Sequence, residues 1–423
     1  MEKSADEEII LNSSNGRDSS VLWSPVPART VEVTIPSATL SEEDSKDKHT
    51  QYVIQIKDKA SGHIIKSVKR RFKEFIELHS ALRQKYAHVR LPDPPKKTRK
   101  LLDDKNSPSL VKGRQQELLK YIRSIQNLPT QWESIHVQLF LRLMDITGKV
   151  FVITGASHGI GLATAQVIAD LGGHTIFACR SKEKVQPLLD DLRMKCDNDK
   201  IEFMELDLAD MASIRNFATN FLQKGINLDV LINNAAIAME PGLTKDGFQL
   251  TLGTNYIGHF LLTSLLLENL LAGSPSRVIN IGCGIHMGAD LVALETVREE
   301  ATGMINLYKA FRTSKLANAM FTKELAKRNR DNALSAFCVN PGVASSGLLR
   351  KLPNWINWGL QKMLKTPEEC TKTILFCALS RDVTVYSGRY FEEMRVSKYS
   401  TKLDDDTAVS QLWEASARWI NPN

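Results

Sequence analysis

The pattern of apolar and polar residues changes along this 423-residue chain. From Arg29, apolar side chains alternate with polar ones, which predicts a meander of short antiparallel strands followed by helices. The predicted strands lie around 31–35, 52–56 and 64–68, and the predicted helices span 71–86, 115–126 and 133–143. Residues 29–145 are therefore expected to form an α+β unit. Residues 1–28 are polar and serine-rich, and they predict a disordered tail.

A different pattern begins at Lys149, where short apolar runs alternate with helical spacing. These runs are typical of buried parallel strands and lie at 150–154, 175–179, 201–205, 230–233, 277–281 and 333–339. The alternation predicts right-handed crossovers and an α/β doubly wound parallel sheet over residues 147–423. Because no Gly/Ser linker joins the two units, we expect little relative motion between them.

Charge and composition add constraints on partners and location. The net charge is +7, and residues 29–145 hold 23 basic and 14 acidic side chains, whereas residues 146–423 hold 30 and 29. The basic excess of the first unit predicts an anionic partner. We expect no membrane span, because no run of 18 apolar residues occurs, and no signal peptide, because the N-terminus is acidic. The six cysteines lack Cys-x2-Cys spacing, so we expect reduced cytosolic thiols and no metal site.

Three motifs of the first unit occur in order. They are Arg70-Arg71-Phe72-Lys73-Glu74-Phe75, the proline-rich stretch Pro92–Lys97, and Arg114 ahead of an apolar helical pattern. Together they resemble the phox-homology (PX) family over about residues 29–145. The resemblance implies a phosphoinositide-binding domain.

The resemblance also implies a role for four residues. Arg71 would hold the 3-phosphate of a phosphoinositide, Phe72 would stack under the inositol ring, and Lys97 and Arg114 would hold the neighbouring groups. Arginine presents a planar fork that suits phosphate, and lysine adds a point charge. We therefore expect a peripheral protein on endosomal membranes that contain phosphatidylinositol 3-phosphate, and no nucleic-acid partner. Leu101 and Leu102, among basic residues, either enter the membrane or pack on their own domain.

The second unit opens with a strand, a glycine loop and a helix start. Glycines at 155, 159 and 161 let the backbone approach a pyrophosphate, and the helix N-terminus supplies free N–H groups. A glycine loop alone is a weak signal, but further motifs follow it. They are Asp207-Leu208, Asn233-Asn234-Ala235-Ala236, Asn255-Tyr256-Ile257-Gly258-His259, Ser314-Lys315-Leu316-Ala317-Asn318 and Pro341-Gly342. This series resembles the short-chain dehydrogenase/reductase family, in its retinol dehydrogenase and WW-domain oxidoreductase branch, and implies a Rossmann fold.

The resemblance implies a nicotinamide dinucleotide. The residues expected to bind it are Thr154, Gly155, Ser157, His158, Gly159, Ile160, Gly161, Arg180, Asp207, Leu208, Asn233, Ala235, Lys315, Pro341 and Gly342. Asp207 would meet the adenine, Asn233 the adenosine ribose and Lys315 the nicotinamide ribose. Arg180 follows the second strand, where an NAD site would place an acid, so we predict NADP(H). The alternative for Arg180 is a surface residue at a helix start.

The catalytic set departs from the family pattern of Asn, Ser, Tyr and Lys. Asn255 and Lys315 are kept, but Cys283 stands at the serine position and Phe311 at the tyrosine position, four residues before the lysine. Phenylalanine has no hydroxyl, and a thiol is a weak hydrogen-bond donor. Tyr308 lies one turn earlier, about 5 Å away along the helix axis, which is too far for proton transfer in an unaltered site.

These observations favour a phosphoinositide-binding peripheral membrane protein with an NADP(H)-binding domain and a degraded catalytic site, acting as a sensor or scaffold. The alternative is an active NADP(H)-dependent oxidoreductase on retinoid, steroid or other lipid carbonyls. Trp355 and Trp358, in the lid region of the family, suit either an apolar ligand or packing on the body. A protein-binding platform has no sequence feature to support it.

Overall fold

The antiparallel meander of the first unit is the element on which its helices pack. The computed structural model describes residues 23, 25–40, 50–95, 108–291, 296–343 and 364–421. Strands β1, β2 and β3 pair in sequence order, and helices α1 to α4 follow. Their bounds are β1 Val31–Leu40, β2 Thr50–Asp58, β3 Ile64–Arg71, α1 Phe72–Lys85, α2 Pro108–Gln126, α3 Pro129–Trp132 and α4 Ile135–Leu141.

Alternating side chains of the meander form the core of the first unit, as the pattern predicts. The buried strand residues are Val31, Val33, Ile35, Tyr52, Ile54, Ile56 and Val68, and Phe75 of α1 and Leu118 of α2 pack against them. Helix α2 is described from Pro108, so it includes seven residues before the predicted start at Gln115. The third predicted helix is present as α4, two residues shorter at each end because Arg142 takes a left-handed conformation after Leu141, and the short helix α3 precedes it.

The second unit is built on one sheet of eight strands in the order β11-β10-β9-β8-β7-β4-β5-β6. Their bounds are β4 Val150–Thr154, β5 His174–Cys179, β6 Ile201–Glu205, β7 Val230–Asn233, β8 Ser276–Ile281, β9 Leu334–Asn340, β10 Tyr390–Glu392 and β11 Arg395–Val396. Strands β4 to β10 are parallel, and β11 is antiparallel to β10. The predicted doubly wound fold is confirmed.

Helices cover both faces of this sheet. They are α5 Gly159–Asp170, α6 Lys182–Cys196, α7 Met211–Leu222, α8 Leu250–Leu252, α9 Gly258–Ala272, α10 Gly303–Arg328, α11 Pro367–Leu379 and α12 Asp406–Ile420. A π-helical turn, Gly253–Ile257, joins α8 to α9. The stretch Leu250–Ala272 is long and apolar enough to cross a membrane, but 72% of its most apolar window is buried inside the protein, as in a core helix.

The two units meet along α1 and α11, which run in the same direction. Two ion pairs join the helices, Lys73 with Glu369 at 3.1 Å and Glu77 with Lys372 at 2.7 Å, and a third joins Lys85 at the end of α1 to Asp382, just after α11, at 2.5 Å. Helix α11 lies between the parallel strands β9 and β10, so its N-terminus is at the carboxyl edge of the sheet, the edge where the parallel strands end. The N-terminus of α1 therefore lies at the same edge.

A second contact between the units lies at the C-terminal end of α5. The carboxylate of Asp170 accepts hydrogen bonds from Lys66 at 2.7 Å and from Arg142 at 2.9 Å. Trp23 is an exception to the predicted disordered tail, because its side chain is buried and Nε1 donates to the Leu379 carbonyl at 2.8 Å. The predicted close association of the two units thus rests on contacts at both ends of the interface.

Candidate functional site

The residues predicted to bind a phosphoinositide meet at the start of α1. Strand β3 ends with Arg71, and the Glu74 carboxylate accepts the Arg71 backbone N–H at 2.8 Å, which fixes the helix start. Arg114 projects from α2 and places its guanidinium carbon 5.2 Å from the ring centroid of Phe72. The structure therefore brings Arg71, Phe72 and Arg114 together. Lys97, Leu101 and Leu102 lie outside the described residues.

Adjacent arginines at the end of β3 differ in their surroundings. Arg70 is partly buried, donates through Nε to the Phe140 carbonyl at 2.7 Å, and lies 4.0 Å from Glu74. Burial lowers the pKa of Arg70 to about 10. In contrast, no carboxylate among the described residues pairs with the guanidinium of Arg71 or of Arg114. Arg70 therefore stabilises the fold, whereas Arg71 and Arg114 are available to bind an anion.

A buried nitrogen marks the same site. Nε of Arg114 is buried and makes no hydrogen bond of good geometry among the described residues, although the Tyr52 hydroxyl lies close to this side chain. Such a group costs about 1–3 kcal/mol unless an acceptor reaches it, and charged groups cost more. A phosphate oxygen is an acceptor of the kind that this nitrogen lacks.

The glycine loop of the second unit makes a close backbone cradle. Gly155 has φ of +66°, and a Cβ there would lie 2.9 Å from the Cα of Ala235. A Cβ on Gly161 would lie 2.5 Å from the Gly155 carbonyl oxygen, and Gly159 has φ of +59°. The loop therefore requires glycine, and it exposes the N-terminus of α5 as a pyrophosphate site needs.

Thr154 and His259 tie this loop to the turn that carries Asn255. The Thr154 hydroxyl accepts the backbone N–H groups of Asn234 and Ala235, each at 2.9 Å, and lies 2.9 Å from Nε2 of His259. Nδ1 of His259 is 3.0 Å from the Asn255 carbonyl, which can only accept, so Nδ1 carries the proton and Nε2 accepts from Thr154. Burial lowers the pKa of His259 to about 4, which keeps the ring neutral. Sequence reasoning placed His259 in a motif but gave it no role.

The remaining predicted cofactor residues occupy different positions around the carboxyl edge. Arg180 follows β5, is exposed, and has no partner side chain within the described ranges. Oδ1 of Asp207 accepts the Ala209 N–H at 3.0 Å. The Gly342 N–H donates to Asn340 at 3.0 Å. Ser157, His158 and Ile160 belong to the glycine loop or the start of α5, whereas Leu208 is buried in the core and Pro341 is buried after β9.

Asn233 is turned away from the edge. Its side chain is 2% exposed, and its amide nitrogen donates to Asn280 at 2.8 Å and to Thr263 at 3.0 Å. The side-chain nitrogen is thus committed inside the protein. A contact between Asn233 and the adenosine ribose would therefore involve the backbone of Asn233, and this contact stays a prediction.

Asn255 and Lys315 are both buried and held. Oδ1 of Asn255 accepts the Ile237 N–H at 2.8 Å, and its amide nitrogen donates to the Ile237 carbonyl at 2.9 Å and to the Ser314 hydroxyl at 3.1 Å. Nζ of Lys315 donates to the Ile281 carbonyl, at the end of β8, at 2.9 Å. Burial lowers the pKa of Lys315. Two of its three N–H donors remain for other acceptors.

An aromatic ring occupies the place next to this ammonium where the family has a phenol. The ring centroid of Phe311 lies 5.9 Å from Nζ of Lys315. Cys283 follows β8, and its carbonyl accepts the His286 N–H at 3.1 Å. Tyr308 is exposed, with the Arg312 guanidinium 5.5 Å from its ring, one turn further from Lys315. The structure thus places Phe311, and not Tyr308, beside the lysine.

One tyrosine near this site was missed by sequence reasoning. Tyr390 of β10 is buried, its ring lies 4.6 Å from that of His286, and its hydroxyl makes no hydrogen bond of good geometry among the described residues, although the Asn340 side chain lies close. Burial raises its pKa. No motif marks this position, because β10 is three residues long and its neighbours come from distant parts of the chain. No group of three or more metal-ligating side chains occurs in the described part of the chain.

Comparisons with known proteins agree with both parts of this arrangement. The family model for short chain dehydrogenase matches residues 149–291, and the PX domain model matches residues 59–143. Retinol dehydrogenase 11 of Homo sapiens is 37% identical over 276 residues, which cover 64% of this chain and 86% of that protein. Dehydrogenase/reductase SDR family member 13 of Bos taurus is 38% identical over 281 residues, covering 65% and 74%.

A solved structure shares the fold of the second unit. An uncharacterized protein from Mycobacterium paratuberculosis is 27% identical, with a TM-score of 0.53, and the match covers 65% of this chain and 94% of that one. The chain therefore belongs to the short-chain dehydrogenase/reductase family and carries a PX domain before the dehydrogenase domain. Both predicted resemblances are confirmed. The PX domain indicates phosphoinositide binding at membranes, and the dehydrogenase domain indicates a nicotinamide cofactor and a small-molecule substrate.

Proposed function

We propose that this protein binds phosphatidylinositol 3-phosphate on endosomal membranes and carries an NADP(H)-binding dehydrogenase domain with a degraded catalytic site. The domain then acts as a sensor or scaffold. The observation that carries the proposal is the Phe311 ring beside the Lys315 ammonium, where the family has a tyrosine hydroxyl.

Support for the lipid site comes from charges that the fold leaves uncompensated. Arg71 and Arg114 lack carboxylate partners among the described residues, and Nε of Arg114 is buried with no acceptor in good hydrogen-bond geometry. Phe72, under the Arg114 guanidinium, offers a flat apolar surface to an inositol ring. A phosphorylated inositol supplies both kinds of contact.

Support for the dinucleotide site comes from the glycine cradle and from two cations. A side chain at Gly155 or Gly161 would collide with backbone, so the residues present fit a pyrophosphate held close to the loop. Arg180 is exposed and unpaired among the described residues at the end of β5, which suits the 2′-phosphate of NADP(H). Lys315 has free donors for the nicotinamide ribose. A bound nicotinamide would supply or accept a hydride.

The proton that accompanies hydride transfer has no donor at the family position. Asn255 and Lys315 are retained and held by hydrogen bonds, but Phe311 cannot exchange a proton, and the Cys283 thiol is a weak donor to a carbonyl oxygen. A general acid or base contributes about 10²–10⁴-fold to a rate. Loss of the phenol alone therefore removes most of the turnover.

An active oxidoreductase on retinoid, steroid or other lipid carbonyls is the second candidate, because Asn255 and Lys315 are retained and the relatives include retinol dehydrogenases. Calorimetry with NADPH and turnover assays separate the two candidates. The proposed function predicts NADPH binding without turnover. Turnover by the wild-type protein would establish the second candidate.

A further inference from the structure

The lipid site and the dehydrogenase site open on the same side of the molecule. The ion pairs Lys73–Glu369, Glu77–Lys372 and Lys85–Asp382 align α1 in parallel with α11. The N-terminus of α11 lies at the carboxyl edge of the sheet, where the glycine loop and Lys315 also lie. Arg71 and Phe72, at the N-terminus of α1, therefore face the same side as the dinucleotide cleft.

A separate contact joins the two units at the far edge of the sheet. Lys66 of β3 binds Asp170 at the C-terminal end of α5, the end opposite the glycine loop. This contact anchors β3 to the second unit, while the ion pairs along α1 set the direction of that helix.

An exposed apolar surface lies at this edge, on the first turns of α10. Lys315 is level with the end of β8, and Ile305 precedes it by ten residues, so the helix start extends about 15 Å beyond the sheet. Ile305 is 72% exposed and Met304 is 53% exposed, and Tyr308 lies one turn on. We call Met287, Met304, Ile305 and Tyr308 the apolar rim.

Met287 joins the rim through its neighbours. It is 55% exposed in the turn Gly284–Gly288, and Gly288 packs against the guanidinium of Arg312, which in turn lies 5.5 Å from the Tyr308 ring. The exposed charges nearby are of both signs, with Glu299 and Glu300 before α10 and Lys309 on it. Because these charges have no common sign, we expect the apolar rim to bind its partner through apolar contacts.

We propose that the apolar rim contacts the same lipid bilayer that the PX domain binds, so that the dehydrogenase site faces the membrane and takes an apolar ligand directly from it. This inference rests on the proposed lipid binding. A PX domain bound to its lipid brings the carboxyl edge to the bilayer surface, and the second contact is then intramolecular, so a small apolar area adds substantially to affinity. Methionine, isoleucine and tyrosine are suited to the boundary between head groups and acyl chains.

The chain offers a matched control. Val385 is 84% exposed in the turn Arg381–Tyr386, which follows the C-terminus of α11 and so lies at the opposite edge of the sheet. A charge placed at Val385 would stay in solvent when the apolar rim is on the membrane. Val385→Asp should therefore leave membrane binding unchanged.

The test is sedimentation of the full chain with phosphatidylcholine vesicles that contain or lack phosphatidylinositol 3-phosphate. The double variant Met304→Asp/Ile305→Asp should bind the lipid-containing vesicles about tenfold more weakly than wild type. Acidic residues in the first turn favour the helix, so α10 is retained. Binding of soluble inositol 1,3-bisphosphate should be the same for the double variant, Val385→Asp and wild type.

The outcomes separate this inference from the proposal on which it rests. If the double variant and Val385→Asp bind the vesicles equally well, the inference is overturned and the lipid site stands. If wild type binds neither the soluble head group nor the vesicles, the proposed lipid function is overturned, and this inference with it.

Amide hydrogen exchange tests the membrane contact of α10 in the wild-type protein. The first amides of α10, from Gly303, have no acceptor within the helix and exchange fast in solution. We expect the lipid-containing vesicles to protect them and the soluble head group to leave them unchanged. Equal exchange in both conditions would contradict the contact.

Discussion

The hydroxyl of Thr154 lies 2.9 Å from Nε2 of His259, and this hydrogen bond joins the glycine loop to the turn that carries Asn255. The same hydroxyl accepts two backbone N–H groups from the end of β7. One side chain thus fixes the distances between the dinucleotide cradle and half of the catalytic set. The glycine loop is thus held in place although Phe311 stands where the family pattern has a tyrosine.

Thr154→Val tests this link. The substitution leaves the N–H of Ala235 and Nε2 of His259 without a partner, and it leaves the N–H of Asn234 with only the Ile232 carbonyl, so the free energy of unfolding should fall by about 2–4 kcal/mol. Denaturant unfolding measures the loss. Thr164→Val is the control, because the buried Thr164 hydroxyl only donates to the Ile160 carbonyl within α5 and leaves no orphaned donor. Equal losses for the two variants would contradict the role given to Thr154.

Two buried histidines make stability depend on pH. Burial lowers the pKa of His136 to about 4 and that of His259 to about 4, against an ordinary value of 6.5. Between these values the unfolded chain binds more protons, so the free energy of unfolding falls as pH falls, by up to about 1.4 kcal/mol per pH unit for each histidine. His136→Phe keeps the stacking on Phe376 and should flatten the slope between pH 6.5 and 4. Unfolding curves with the same slope as wild type would show that His136 does not contribute.

Arg71→Ala should weaken binding to phosphatidylinositol 3-phosphate vesicles by tenfold or more, since a charge-assisted hydrogen bond contributes about 1.5–3 kcal/mol. Liposome sedimentation measures the change. Arg83→Ala removes the same charge at the other end of α1, where the side chain is exposed, and should bind like wild type. Equal binding by the two variants, or wild-type binding that does not require the phosphoinositide, would refute the assignment.

Arg180→Ala should reduce the preference for NADPH over NADH, while Gly159→Val should abolish binding of both. The first change removes the partner of the 2′-phosphate, and the second places a β-branched side chain at φ of +59° beside the pyrophosphate site. Calorimetry with each dinucleotide separates the two effects. Wild-type binding without preference would remove only the role of Arg180, and absence of any dinucleotide binding would leave the domain as a scaffold.

Local patterns predicted the strands β1 to β9 because alternation and apolar runs are properties of neighbouring residues. Strands β10 and β11, with three and two residues, are too short to produce a pattern. Motif spacing located Phe311 and Cys283, since a substitution within a fixed register is visible without a structure. The roles of His259 and of Tyr390 depend on contacts between distant segments.

The interface between the two domains also depends on contacts that local sequence patterns do not reveal. Lys73 and Glu369 are 296 positions apart, and nothing in either local sequence indicates that they pair. Their pairing gives the PX domain its orientation on the dehydrogenase domain. Without the family resemblance, the sequence does not indicate whether Arg70 or Arg71 is available for the lipid. The structure shows that Arg70 is bonded to the Phe140 carbonyl.

Turnover is the most direct test of the account, because its central claim is a site that binds the cofactor without a proton donor. The double variant Phe311→Tyr/Cys283→Ser restores a phenol beside Lys315 and a hydroxyl for the carbonyl oxygen. Both groups act on one oxygen, so their effects should be non-additive. Replacing Lys315 by methionine in that background should remove the gain.

The decisive measurement is the rate of NADPH oxidation by the wild-type protein and by this double variant, on a panel of retinoid, steroid and medium-chain carbonyls. The account predicts no measurable turnover for wild type and a detectable rate for the double variant. Robust wild-type turnover would contradict it, and Tyr308→Phe and Tyr390→Phe would then show which hydroxyl replaces the missing donor.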